Sequence, residues 1–172
     1  MKRVLFALAA LILPQSAFAG FGVTGYLGGG MGGLGGEVQP PIRSGLPTFD
    51  WHSREHLVQL DLLGIISSIT TEENFGLDAA YYYTSYKGEI HDNWKGTVAP
   101  GLHLGYLNYA LTDQSAFDAI LGLRMGAQAL KEMGVGIYVV PGIGIRNVSD
   151  DKLYMAMSGS IELSVWLTGG GD

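Results

Sequence analysis

Two long runs of alternating residues near the C-terminus, 135–146 and 153–167, constrain the fold more than any other part of the sequence. In the second run every other residue is apolar, with Gly159 as the interruption, and the intervening residues are mostly small or polar and include Glu162. The first run alternates in the same way, with apolar residues against glycines, Tyr138 and Arg146. Alternate side chains of a β-strand point to opposite faces. The two runs therefore predict two strands, each with one apolar face and one small, polar face.

The length and polarity of these two strands favour a membrane-spanning barrel over a soluble sandwich. A strand that crosses a bilayer needs about 9–11 tilted residues, apolar toward lipid and polar toward the lumen. Both runs satisfy this description. The working prediction is therefore a closed sheet whose apolar face points outward.

The rest of the chain repeats the pattern less regularly. Five more runs alternate, at 21–30, 55–66, 75–85, 97–109 and 117–129. The segments 42–54, 67–74, 86–95 and 111–116 are predicted as loops or turns. Pro100 and Pro141 are predicted at bulges or at the rim, because proline cannot donate to a strand ladder.

This gives seven strands, or eight if Leu34 to Gln39 forms one. Bacterial single-chain barrels have even strand numbers. The predicted fold is all-β, a single antiparallel up-and-down transmembrane β-barrel of eight strands. An even count also returns the C-terminus to the end where the chain enters.

The N-terminus has the pattern of a secretory signal peptide. Lys2 and Arg3 precede an apolar stretch to Leu13, and Ala17-Phe18-Ala19 offers small residues at the two positions that a signal peptidase reads. The stretch is too short to cross a bilayer as a helix. We therefore predict a Sec-type signal peptide over 1–19 and one barrel domain over 20–172.

Composition excludes several classes of protein. The net charge is −6 and would become about −8 without Lys2 and Arg3, whereas a nucleic-acid surface would be basic. The sequence has no cysteine, so neither disulfides nor a lipid-bearing cysteine are predicted. Glycine, at 27 of 172 residues, is more than double its average share of about 7% and suits a crowded barrel interior.

The face opposite the apolar one collects ionisable residues from strand after strand. They are Asp61, Asp78, His103, Asp118, Arg124, Arg146 and Glu162. An eight-stranded barrel is only wide enough to be filled by side chains, and an isolated buried charge is very costly. We therefore predict a structural network of paired charges that plugs the lumen, with no catalytic, cofactor-binding or metal-binding residues.

The signal peptide, the hairpin rhythm and the polar inner face together resemble the small OmpA/OmpX-like outer-membrane β-barrels. The resemblance covers most of 20–167 and is architectural. It implies a bacterial outer-membrane location, contact with outer-membrane lipid, assembly by the barrel insertion machinery and possible binding of a surface ligand through the loops. That class usually ends on an aromatic residue, whereas here Trp166 is followed by residues 167–172. The insertion signal would then be read from an internal strand.

A polar cluster in the predicted loop 42–54 and just beyond it offers two weaker interpretations. Asp50, His52, Ser53 and His56 hold the side-chain types of a hydrolase triad, but no nucleophile motif surrounds Ser53. His52 and His56 have the spacing of a metal-binding pair, but without the helix and glutamate of a metalloprotease. Both patterns are more typical of a solvated polar loop.

Two functional classes remain, with a rim hydrolase acting on lipid as a distant third. The favoured one is a non-enzymatic outer-membrane barrel that acts in envelope structure or through its surface loops. The alternative is a soluble periplasmic barrel that binds an apolar ligand, as lipocalins do. The two differ in which face of the strands points outward.

Overall fold

The computed structural model describes residues 19–32, 48–60, 74–109, 114–129, 134–148 and 152–166, and the account below concerns these residues. They form nine strands. The strands are β1 (Ala19–Gly32), β2 (Thr48–Ser53), β3 (His56–Leu60), β4 (Asn74–Tyr83), β5 (Tyr86–His91), β6 (Trp94–Tyr109), β7 (Gln114–Ala129), β8 (Gly134–Val148) and β9 (Lys152–Trp166). None of the described residues forms a helix long and apolar enough to cross a membrane.

Eight of these strands close into an antiparallel up-and-down barrel. β1 to β4 pair in chain order, β6 to β9 do the same, and the barrel closes through β4 with β6 and β1 with β9. Gly22 at the start of β1 lies opposite Trp166 at the end of β9. The prediction of a closed antiparallel up-and-down barrel with eight strands is therefore confirmed, as is the return of the last strand to the end where the first begins.

The strand that completes the count of eight is β2, in a segment that was not predicted as a strand. Leu34 to Gln39 lies outside the described residues, whereas Thr48–Ser53, predicted as part of a loop, is β2. In this strand Thr48 and Asp50 are buried while Phe49 and Trp51 are partly exposed. The alternation is present but covers only a few residues after Pro47, which is why the loop prediction was wrong.

The segment 86–95, also predicted as a loop, forms a hairpin. It lies at the end of the barrel where β1 begins and β9 finishes, which is called the terminal end below. β5 pairs with the first residues of β6, and the turn between them contains Asn93 with a positive φ of 65°. Pairing of β6 passes from β4 at Gly101 to β5 at Val98. β5 therefore continues in line with β4 after the break at 84–85, beside β6. It extends beyond the closed barrel.

The two prolines occupy different positions in the ladders. Pro100 lies where β6 changes partner from β4 to β5, an irregularity of the predicted kind. Pro141 lies in the middle of β8, facing a gap in the ladder with β7. The pairs on both sides of that gap, Gly122 with Gly142 and Met125 with Val139, keep one register. Pro141 is therefore at neither a bulge nor the rim, and the prediction was wrong for this residue.

The apolar parity points outward and the small, polar parity points inward. Large apolar side chains are exposed along β6 to β9, and the inward positions between them are mostly buried. Inside, a cluster of buried apolar residues includes Tyr82, Tyr138, Val140 and Trp166. Glycine makes room for such rings: a Cβ on Gly126, opposite Tyr138, would lie 2.6 Å from a carbon of that ring.

Candidate functional site

The barrel interior contains three buried pairs of ionisable side chains. The first joins directly opposed residues of β7 and β8, Asp118 and Arg146. Arg146 donates from Nε to Asp118 Oδ1 and from Nη2 to Asp118 Oδ2, both over 2.6 Å. Two parallel bonds of this kind fix the geometry as well as neutralising both charges.

The second pair is the most extensively contacted. Arg124 of β7 donates from Nε to Glu162 Oε2 and from Nη2 to Ser164 Oγ of β9, each over 2.8 Å. Its guanidinium carbon lies 3.2 Å from the centroid of the Tyr138 ring, a cation–π arrangement. Tyr138 in turn donates to Gln128 over 2.9 Å. Glu162 is fully buried, so its charge depends on protein partners.

Hydrogen bonds extend this pair across the opposite wall. Ser164 and the hydroxyl of Thr24 are 2.6 Å apart, and Thr24 also donates to the carboxylate of Asp50. Asp50 accepts a further bond of 2.7 Å from Thr48, and its remaining partner is Gln59 of β3 at 3.4 Å. One network therefore runs from β7 through β9, β1 and β2 to β3.

The third pair lies between β4 and β6. His103 Nε2 is hydrogen-bonded to Asp78 Oδ1, and both residues are buried. Ala80, two residues from Asp78, lies opposite His103 in the register. The pair is therefore a diagonal cross-strand contact.

The structure places six of the seven predicted lumen residues inside the barrel and pairs them as His103 with Asp78, Arg124 with Glu162 and Arg146 with Asp118. Asp61 lies outside the described residues. Asp50 was not predicted as a lumen residue, because its strand was predicted as part of a loop. The alternation of Thr48 and Asp50 with Phe49 and Trp51 is the pattern that indicates an inward-facing Asp50.

The polar cluster of the β2–β3 region is divided between several environments. Asp50 directs its carboxylate to Thr24, Thr48 and Gln59. Its neighbour on the same strand face, His52, packs edge-on against Trp166 with ring centroids 4.5 Å apart. His56 Nδ1 lies 2.7 Å from the hydroxyl of Tyr81. Ser53 is three residues from Asp50 on the same strand, and both are buried.

Metal binding was a second interpretation of this cluster. Within the described part of the chain, no group of three or more histidine and carboxylate side chains is arranged to hold a metal ion. The chemistry that the interior supports directly is charge neutralisation and hydrogen bonding between strands. These contacts connect β7 with β8 and β7 with β9 across the interior.

Comparison with known proteins found no matching family model, no matching curated protein and no matching solved structure. The functional argument therefore rests on the barrel itself.

Proposed function

We propose that this chain is a small, non-enzymatic outer-membrane β-barrel of the OmpA/OmpX-like architecture. Its lumen is closed by side chains, and it acts in envelope structure or through its surface connections. The observation that carries the proposal is the direction of the two faces: the outer surface is apolar and the interior is polar. The absence of an enzymatic role and the bacterial outer-membrane location are parts of the proposal.

The outer surface has the character expected of a lipid-facing one. The exposed residues of β7 to β9 include leucine, isoleucine, valine and methionine at successive outward positions. They are Phe117, Leu121, Leu123, Met125, Val135, Ile137, Val139, Ile143, Ile145, Leu153, Met155, Met157, Ile161, Leu163 and Val165. Soluble monomers rarely expose apolar patches beyond a few hundred square ångströms. A surface of this kind is stable where the surrounding medium is apolar.

The interior argues against the lipocalin-like alternative. A barrel that holds an apolar ligand needs a predominantly apolar cavity. Here the inner wall contains three paired sets of ionisable groups and a hydrogen-bonded chain of Thr, Ser, Asp and Gln. The polarity is therefore the reverse of what that function needs.

The lengths of the connections agree with the same proposal. At the end where β1 begins and β9 finishes, β2 and β3 are joined by Arg54 and Glu55 alone. At the other end, two connections are long, 33–47 between β1 and β2 and 61–73 between β3 and β4, and two are short, 110–113 and 149–151. Bacterial outer-membrane barrels have short periplasmic turns and longer extracellular loops. The longer connections would then face outside and provide the surface for partners.

Heat-modifiability is the direct test. The chain without residues 1–19 is folded in detergent and run on SDS gels with and without boiling, and in parallel it is floated with phospholipid vesicles. We expect a faster-migrating band before boiling and co-flotation with the vesicles. A protein that stays monomeric and soluble without detergent, and sinks away from the vesicles, would contradict the proposal and favour the soluble barrel.

A second prediction concerns conductance. Because side chains fill the lumen, planar bilayers that contain the folded chain are expected to show no single-channel steps above the background of bilayers given detergent alone. Discrete steps in the presence of the folded chain would contradict the closed lumen.

A further inference from the structure

A small pocket at the terminal end of the barrel is lined by three basic side chains, together with histidines, threonines and apolar residues. It has a volume of about 50 Å³, and a single water needs roughly 10–15 Å³ on this measure. The pocket therefore has room for a small polyatomic group. Its lining residues are His52, Arg54, His56, Leu57, Thr84, Lys87, Thr97, Arg124, Gln128 and Trp166.

The lining contains cationic groups from several separate parts of the fold. Arg54 comes from the β2–β3 turn, Lys87 from β5 and Arg124 from β7, while His52 and His56 lie on β2 and β3. No aspartate or glutamate is among the described residues that line it. Arg124 is neutralised by Glu162, and Arg54 and Lys87 are two further basic side chains of the lining. A cation is therefore disfavoured here and an anion is favoured.

The hydrogen-bonding groups of the pocket also suit an oxyanion. Arginine and lysine only donate, and the hydroxyls of Thr84 and Thr97 can donate. His52 also lines the pocket, and its Nε2 is buried without a hydrogen-bond partner among the described residues. A buried polar nitrogen without a partner is unfavourable, and a bound water or ion is one way to satisfy it.

We propose that this pocket binds a phosphate group, either as free phosphate or as the phosphomonoester headgroup of a lipid. The ligand would lie between Lys87 and Arg54 at the mouth, with His52 beneath it. The pocket is formed by the barrel strands and the β5–β6 hairpin, so the inference does not depend on the medium that surrounds the barrel. It can therefore hold or fail independently of the proposed membrane location.

Trp166 provides the measurement. It lines the pocket and its ring contacts His52, so its fluorescence responds to changes there. Trp51 and Trp94 are replaced by Phe in the full chain, which is folded in dodecyl maltoside and titrated with inorganic phosphate, with sodium chloride at equal ionic strength as reference. We expect a saturable change in Trp166 emission that chloride does not reproduce.

Two lysines of the same hairpin give matched variants. Lys87→Met removes a charge that lines the pocket, and Lys95→Met removes the same charge from β6 without touching the lining. We expect Lys87→Met to raise the half-saturating phosphate concentration about tenfold, the effect of losing a hydrogen bond to a charged group. Lys95→Met should change it less than twofold. The unboiled gel band checks that both variants fold.

A second titration, with a lipid, distinguishes the two sources of phosphate. Phosphatidic acid is added to the phosphate-free micelles, with the same amount of diacylglycerol as the uncharged control. A change in Trp166 emission that only phosphatidic acid produces, and that Lys87→Met weakens, identifies the lipid headgroup as the ligand. A response to inorganic phosphate alone identifies the free anion. The proposal is overturned if neither compound gives a saturable response, or if the two lysine variants weaken binding equally.

Discussion

Arg124→Met is expected to lower the free energy of unfolding by about 3–5 kcal/mol, the usual effect of removing one partner from a buried ion pair. Arg124 donates to Glu162 and Ser164 and stacks on Tyr138, and the substitution removes all of these contacts. It leaves the carboxylate of Glu162 inside the barrel without its cation. The measurement is equilibrium unfolding in urea of the protein folded in vesicles or micelles.

The double variant Arg124→Met/Glu162→Gln distinguishes charge from packing. If the loss comes mainly from the uncompensated carboxylate, the double variant should be more stable than Arg124→Met alone. Arg54→Met, which removes an exposed arginine from the β2–β3 turn, serves as the control and should stay within about 0.5 kcal/mol of the parent. A loss below about 1 kcal/mol for Arg124→Met would mean that the pair contributes little to holding the barrel closed.

Leu121→Arg is expected to destabilise the barrel by about 2–4 kcal/mol in lipid vesicles, because Leu121 lies near the middle of β7 on the outward face. Leu121 is 65% exposed. In water, a substitution at so exposed a site usually changes stability by no more than about 0.5 kcal/mol. The same substitution therefore reports the medium that surrounds the barrel. The measurement is urea unfolding from vesicles, followed by tryptophan fluorescence.

Leu153 provides the matched control. It is 64% exposed, also faces outward, and lies next to the first residue of β9, near the rim. Arginine near a membrane interface costs only about 0–1 kcal/mol. Leu153→Arg should therefore be well tolerated while Leu121→Arg is not. Equal and small effects at both positions would contradict a bilayer around the middle of the barrel.

The sequence predicted most of the fold because alternation is a direct consequence of strand geometry. β7, β8 and β9 are long and alternate cleanly, so the residue pattern by itself assigns their two faces. β2 and β5 are short and rich in polar residues. For them the local pattern is weak, and the pairing with neighbouring strands decides the conformation. Thr48–Ser53 became a strand because β1 and β3 pair with it on either side.

The residues of the interior were predictable from the sequence, but the ion pairs that they form were not. Parity alone placed Asp118, Arg124, Arg146 and Glu162 on the inner face. Which acid meets which arginine depends on the register between strands and, for Arg124 and Glu162, on a contact between strands that are not adjacent in the sheet. The pocket at the terminal end of the barrel was not predicted, for the same reason. Arg54, Lys87 and Arg124 are distant in sequence and meet only when the barrel closes.

For a barrel that lies in a bilayer, as proposed above, the β5–β6 hairpin limits the depth of insertion. In the described part of the chain, β5 ends the order of strands, and its outer edge faces away from β6. An exposed backbone N–H or C=O group in hydrocarbon costs several kcal/mol, whereas water satisfies it at no such cost. In such a barrel Tyr86–His91 would stay in the aqueous phase. The hydrocarbon layer would begin on the other side of the break at 84–85, where β4 and β6 pair with each other.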